Sequence, residues 1–270
     1  MRTTSLYLGE LNIQNNGGEL VPNVAQDFTD IAEYSRFKFG DGEAGDKYGS
    51  MLGNLVLSEV ADLLTSDDVY VASSAYRTAP PASESLVAPF INSADAAADS
   101  VGSDTTFNRF KISKAKLATD NYAGMSFEER SRTLQSDLIL PEGLDLAGRR
   151  VVILDDIRVT GLREAALKDL LGNAGAEHTS FYYVLNAPQG KEYPQTEAVI
   201  NIRSVKTIDN ILALAEQPTF VPNVRLCKFI LSQSVHDVER FCQIAPQNVV
   251  DTVLHYIRAD NLEEVVKALP

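Results

Sequence analysis

The chain has 270 residues, 44% of them apolar, enough for the core of one large domain or of a domain with an appendage, and this excludes a disordered protein. With 24 basic against 37 acidic residues its formal charge is −13, which argues against a nucleic-acid or anionic-membrane partner and makes any local basic cluster informative. The N-terminal stretch lacks the apolar core of a signal peptide, and no apolar run approaches the roughly 18 residues of a membrane span, so the sequence reads as a cytoplasmic protein. Cys227 and Cys242 read as reduced thiols, and His178, His236 and His255 lack the spacing of a zinc site or a catalytic triad.

In chain order, apolar periodicity predicts helices near residues 24–34 and 47–64, a strand at Val69-Tyr70-Val71-Ala72 and a helix starting near Ser83. The stretch "INSADAAADSVGSD" reads as a helix end running into a surface loop, and "TFNRFKI" as a strand. A long polar connection follows, from about Lys114 to Leu140, with Ser126 and Glu129 forming a capping box for a short helix. Connections of that length in compact domains are usually lids or binding loops. Val151-Val152-Ile153-Leu154 then reads as a strand buried on both faces, followed by the turn "DDIRVTG". The next helix is expected to bury Leu162, Ala165, Ala166 and Leu170 and to close near Gly172 or Gly175, with "TSFYYVL" as the next strand. This βαβ pattern predicts an α/β protein with a parallel sheet. Beyond residue 207 the pattern is helical only, so the chain divides into an α/β domain at 1–207 and a helical C-terminal extension at 208–270.

Ligands of open parallel sheets bind beyond the carboxyl ends of the strands, where Asp155 and Asp156 are expected. The turn behind them feeds a helix N-terminus, whose free amides and dipole favour an anion. Acids beside an anion cradle make sense if one ligand offers hydroxyls to the acids and a phosphate to the amides, with a divalent cation nearby. A phosphorylated sugar fits that description.

The stretch "VVILDDIRVTG" resembles the phosphoribosyl pyrophosphate motif of the type I phosphoribosyltransferases: apolar residues, two acids and a turn ending in Thr-Gly before a helix. The resemblance implies that Asp155 and Asp156 hold the ribose hydroxyls and that Ile157, Arg158, Val159, Thr160 and Gly161 hold the 5-phosphate. "SSAYRTAPPAS" begins where the family's pyrophosphate loop would lie, which points to Ser74, Ala75, Tyr76, Arg77 and Thr78. The basic run Arg109, Lys111, Lys114 and Lys116 resembles the start of the family's mobile catalytic loop, with Lys111 and Lys114 as its catalytic cations. "YSRFKFGDG" is placed in an N-terminal hood over the acceptor, with Arg36 or Lys38 facing the site and Tyr34, Phe37 and Phe39 as core. Together with "KYG" and "YAGMSFEER" the layout is also similar to the phosphoribosyltransferase-like proteins associated with tellurium-resistance and stress operons. After Gly161 the sequence departs from the commoner pattern: Leu162-Arg163 stands where small and hydroxylated residues are usual, so Arg163 would have to supply the missing phosphate contact.

The resemblance implies a magnesium-dependent phosphoribosyltransferase that moves a 5-phosphoribosyl group from phosphoribosyl pyrophosphate to a nitrogen acceptor, a nucleobase by family precedent, with loss of pyrophosphate. Magnesium would enter with the donor, near Asp155 and Asp156. The alternative is a regulator that keeps the fold and senses the sugar phosphate without turning it over. A phosphatase built on "LDD" is disfavoured because its Asp-x-Asp spacing is absent. A homodimer is compatible with the family and is not specified by the residues.

Overall fold

The computed structural model describes residues 1–16, 19–25, 30–59, 61–65, 68–115, 137–193 and 195–267. The long strand β1 (Arg2–Asn16) and β2 (Glu19–Ala25) form an antiparallel hairpin, registered from Glu10 opposite Ala25 to Asn16 opposite Glu19. The helix expected at 24–34 is corrected here: its first residues are strand, and α1 (Ile31–Lys38) starts later, at Asp30, whose side chain accepts from the Ala32 amide. Pairing with β1 overrides local periodicity in this stretch, because a strand with a partner satisfies its backbone along its whole length.

Helix α2 (Gly42–Glu59) precedes β3 (Asp68–Ser73), and α3 (Val87–Ser100) is entered through a 3-10 turn at Ala82–Leu86, close to the start expected at Ser83. Strand β4 (Thr106–Arg109) leads to β5 (Ser113–Lys114), which pairs with β6 (Leu138–Ile139) across the long connection. The capping box at Ser126 and Glu129 lies outside the described residues. Strand β7 (Arg150–Arg158), helix α4 (Leu162–Asn173) and strand β8 (His178–Asn186) form the expected βαβ unit. The buried face of α4 is Ala166, Leu167 and Leu171; Ala165 is exposed, so the expected stripe is rotated by about one residue. The helix ends at Asn173, and Gly175 just beyond it, with a φ of 86°, turns the chain so that the Ala176 amide donates to the Leu171 carbonyl at 3.0 Å.

The sheet order is β2-β1-β8-β7-β3-β4, parallel except for the β2 edge. Helices α1, α2 and α3 cover one face, over Val152, Leu154, Tyr182 and Val184. Helix α4 covers the other, over Val151, Ile153, Phe181 and Tyr183. Helices α5 (Thr196–Asn201), α6 (Ile208–Ala215), α7 (Val224–Leu231), α8 (Val235–Ile244), α9 (Gln247–Ala259) and α10 (Leu262–Lys267) follow. The helices from α6 onward share their own apolar cluster, into which Phe39 and Ala79 of the α/β part are inserted.

Candidate active site at the switch point of the sheet

The chain leaves β3 towards β4 on one side and leaves β7 towards β8 on the other, so the crevice beyond β3 and β7 is the topological switch point where ligands of such sheets bind. Pairing between β3 and β7 stops at Ser73 opposite Leu154, and the Ser74 amide donates to the Leu154 carbonyl at 3.1 Å. Beyond that bond β7 continues to Arg158 with β8 alone. Asp155 and Asp156 therefore belong to a strand, not to a turn as expected, and sit where one neighbour has peeled away.

Alternation along the strand sends the two acids to opposite faces. Asp155 follows Ile153 onto the α4 side, where its carboxylate accepts from the Arg163 guanidinium at 2.7 Å and from the Asp156 amide at 3.0 Å. Asp156 follows Leu154 onto the α1 side, where it pairs with the buried ammonium of Lys38 and accepts from the Ile157 amide at 2.7 Å. Burial, opposed chiefly by Arg163, holds the Asp155 carboxyl above the ordinary carboxylate range. Asp155 raises the Arg163 pKa in turn.

A cavity of about 200 Å³ opens on the α4 side, lined by Asp155, the whole turn from Ile157 to Gly161, and Tyr183 and Glu197. Gly161 is the N-cap of α4 with a φ of 75°, which suits glycine. The Thr160 hydroxyl is exposed and accepts from the Leu162 amide only at 3.4 Å, so it caps the helix weakly. The Arg158 guanidinium and the Tyr183 hydroxyl both donate to Glu164, at 2.7 and 2.9 Å.

The loop after β3 packs against the basic segment. The Tyr76 amide donates to the Ile112 carbonyl, and the Lys111 ammonium stands 4.2 Å from the Tyr76 ring centre and donates to the Arg77 carbonyl. Contrary to the expected cradle of free amides at Ser74–Thr78, three are taken: Ser74 by Leu154, Tyr76 by Ile112 and Thr78 by the Asp260 carboxylate at 3.2 Å. Among the described residues the amides of Ala75 and Arg77 have no partner. Arg109 is not free either, since it pairs with Glu84. Lys114 lines a small cleft with Ala75 and Arg163, and burial, then Arg163 and Lys228, pull its pKa down to about 8. Lys116 lies outside the described residues.

In the hood, Arg36 pairs with Asp41 at 3.1 Å, whereas Lys38 enters the site. Phe37 and Phe39 are core, as expected. Tyr34 is also fully buried, but its hydroxyl has no hydrogen-bond partner among the described residues. Burial, then Asp156 and Glu197, raise its pKa well above the usual phenol value, so it stays a proton donor.

Sequence motifs do not reveal Glu197 or Arg225. The Glu197 carboxylate accepts from Lys38 at 3.1 Å and from Arg225 at 2.8 Å, and Lys38, against the opposing effect of burial and helped by Arg225, lowers its pKa to about 2. A chain of alternating charge thus runs Asp156, Lys38, Glu197, Arg225, from the end of β7 to a C-terminal helix. No local pattern marks Glu197 in "PQTEAVI", because its partners come from α1 and α7.

A family model described as PRTase ComF-like matches residues 22–263. The chain belongs to the PRTase ComF-like family. The match of this phosphoribosyltransferase family takes in the C-terminal helices as well as strands β3 to β8 of the sheet. Among curated proteins, the adenine phosphoribosyltransferase of Mycolicibacterium smegmatis is 44% identical over 69 residues, 25% of this chain and 37% of that protein. The adenine phosphoribosyltransferase of Mycobacterium sp. (strain KMS) is 39% identical over 82 residues, 30% of this chain and 45% of that protein. The chain therefore aligns with less than half the length of these relatives. A hypoxanthine-guanine phosphoribosyltransferase from Bacillus anthracis is a structural neighbour with a TM-score of 0.36 and 16% identity, over 56% of this chain and 74% of that one. The corresponding enzyme of L. donovani has a TM-score of 0.35 and 13% identity, over 58% and 76%. Among the described residues no helix of this PRTase ComF-like chain is long and apolar enough to cross a membrane.

Proposed function

We propose that this protein transfers a 5-phosphoribosyl group from phosphoribosyl pyrophosphate to a nitrogen acceptor, a nucleobase by the names of its relatives, releasing pyrophosphate. The observation that carries the reading is the cavity at the switch point: one buried acid, a turn ending in Thr160-Gly161 and a helix N-terminus line the same 200 Å³ space. The Thr160 hydroxyl, the turn amides and the first amides of α4, which precede any helical hydrogen-bond ladder, converge there on a phosphate. Asp155 accepts from a ribose hydroxyl, and Asp156 orders Lys38 on the far side of the strand.

Among the described residues no group of three or more ligands could hold a metal by themselves. Asp155, the one of the two acids that lines the cavity, suits magnesium that arrives with donor phosphates, since magnesium can be held by a single carboxylate and substrate oxygens. When bound it would neutralise charge on the leaving pyrophosphate. The protein's own contribution is positional. The 5-phosphate is anchored at the turn, the ribose at Asp155 and the pyrophosphate by Ala75 and Arg77 amides with Lys111 and Lys114, so the anomeric carbon is held between acceptor and leaving group. No protein nucleophile is needed for a transition state of oxocarbenium character.

The second reading, a sensor that binds the donor without turnover, is favoured by one observation: Asp155, the acid that lines the cavity, already carries an ion-pair partner, Arg163, that a ribose must displace or share. A pyrophosphate-release assay with donor, magnesium and a panel of bases decides between them. Release dependent on one base supports the transferase; donor binding without release with any base supports the sensor.

A further inference from the structure

A ribose brings two adjacent hydroxyls into the cavity, and each needs an acceptor once it leaves water. Asp156 is not one, because it is buried against Lys38 on the α1 side of β7 and is not among the residues that line the cavity. Asp155 is partly used. Its Oδ1 accepts from the Asp156 amide at 3.0 Å and its Oδ2 from Arg163 at 2.7 Å, so each oxygen has a partner before a sugar arrives.

Glu197 of α5 is a second acid on the same cavity wall, with its side chain 35% exposed. Its hydrogen bonds are one-sided: Lys38 at 3.1 Å and Arg225 at 2.8 Å both donate to Oε1, and among the described residues Oε2 accepts nothing. Two cations on one oxygen fix the carboxylate in place and keep it ionised. A carboxylate held by one oxygen, with the other free, is a preorganised acceptor for a ligand hydroxyl. Glu164 is also paired through one oxygen, to Arg158 and Tyr183, but it stands in the first turn of α4, at the phosphate end of the cavity.

We propose that Asp155 and Glu197 divide the ribose diol between them, one hydroxyl to each, so that Glu197 makes the site selective for ribose over deoxyribose phosphates. Lys38 and Arg225 are then positioning residues that orient Glu197 through Oε1, and Asp156 acts on the sugar only through Lys38. The assignment rests on the phosphoribosyltransferase reading and departs from the resemblance, in which both strand acids hold the ribose.

Calorimetry on the full chain with ribose 5-phosphate, its 2-deoxy and 3-deoxy analogues and inorganic phosphate tests it. Wild type should bind each deoxy analogue about tenfold more weakly than ribose 5-phosphate, the worth of one charge-assisted hydrogen bond. In Glu197→Gln the carbonyl takes the place of Oε1 between the two cations, and the amide nitrogen, a donor, replaces Oε2. One of the two penalties should then fall to about threefold or less, while the other penalty and the affinity for inorganic phosphate stay at wild-type values. Asp155→Asn should lower the other penalty instead. Two unchanged penalties in Glu197→Gln, or loss of the same penalty in both variants, overturn this proposal and leave the donor reading standing. Weaker binding of inorganic phosphate by Glu197→Gln makes Glu197 a structural residue and overturns the proposal too. Wild type that does not bind ribose 5-phosphate overturns both.

Discussion

Asp155 and Asp156 are neighbours in sequence and differ in circumstance, because a strand sends them to opposite faces. Only Asp155 lines the cavity, so Asp155→Asn should weaken donor binding by about 1.5–3 kcal/mol, measured by calorimetry. Asp156→Asn should show its effect in denaturant melts instead, by about 3–5 kcal/mol, since it leaves Lys38 buried beside Glu197 with one partner fewer. Equal effects of the two on donor affinity would contradict the division between faces. Glu197 gives a pH signature. Lys38 depresses its carboxyl to about 2 from an ordinary 4.5, so its contribution is complete above about pH 4.5 and is lost as pH falls towards 2. Glu197→Gln should therefore lose less stability than wild type between those two pH values, as read from acid-dependent urea midpoints.

At the scale of elements, the turn between β7 and α4 depends on Gly161. With a φ of 75° and the Arg158 guanidinium 3.3 Å from any added Cβ, Gly161→Ala should cost about 1–2 kcal/mol and shift the turn that holds the 5-phosphate. Thr160→Val separates a cap from a phosphate ligand. The long 3.4 Å bond to Leu162 implies little loss of ligand-free stability, below the roughly 0.5–2 kcal/mol of a full N-cap, and a reduced thermal shift on adding donor. A variant that melts lower yet keeps the full ligand-induced shift would place the phosphate elsewhere.

At the scale of the molecule, the helical extension is tied to the α/β part at points that flank the site. The Asp260 carboxylate accepts from the Thr78 and Ala79 amides, the latter at 2.9 Å, and the Val221 amide donates to the Gly40 carbonyl at 2.9 Å. Helix α2 starts so close to residue 219 that a Cβ on Gly42 would lie 1.7 Å from the Thr219 carbonyl oxygen. Asp260→Ala leaves two loop amides without their acceptor, one of them buried. We expect a loss of about 1–3 kcal/mol and faster amide exchange at residues 74–79, with the slower core of β7 and β8 unchanged.

Much of this was legible in the sequence because it depends on local pattern. The apolar run before Asp155, the Thr-Gly turn and the spacing to "TSFYYVL" specify strand, turn, helix and strand whatever the rest of the chain does, and they locate one half of the site. What only the tertiary structure decided depends on partners remote in sequence. Residues 2–16 and 19–25 became paired strands because β8 offered β1 an edge and β1 offered one to β2, which no local propensity encodes. Two adjacent acids diverged because β3 left the sheet at Leu154 and the strand's alternation continued past it. Lys38, Glu197 and Arg225 lie far apart along the chain, and a charge acquires a chemical role only from the charges and the burial around it.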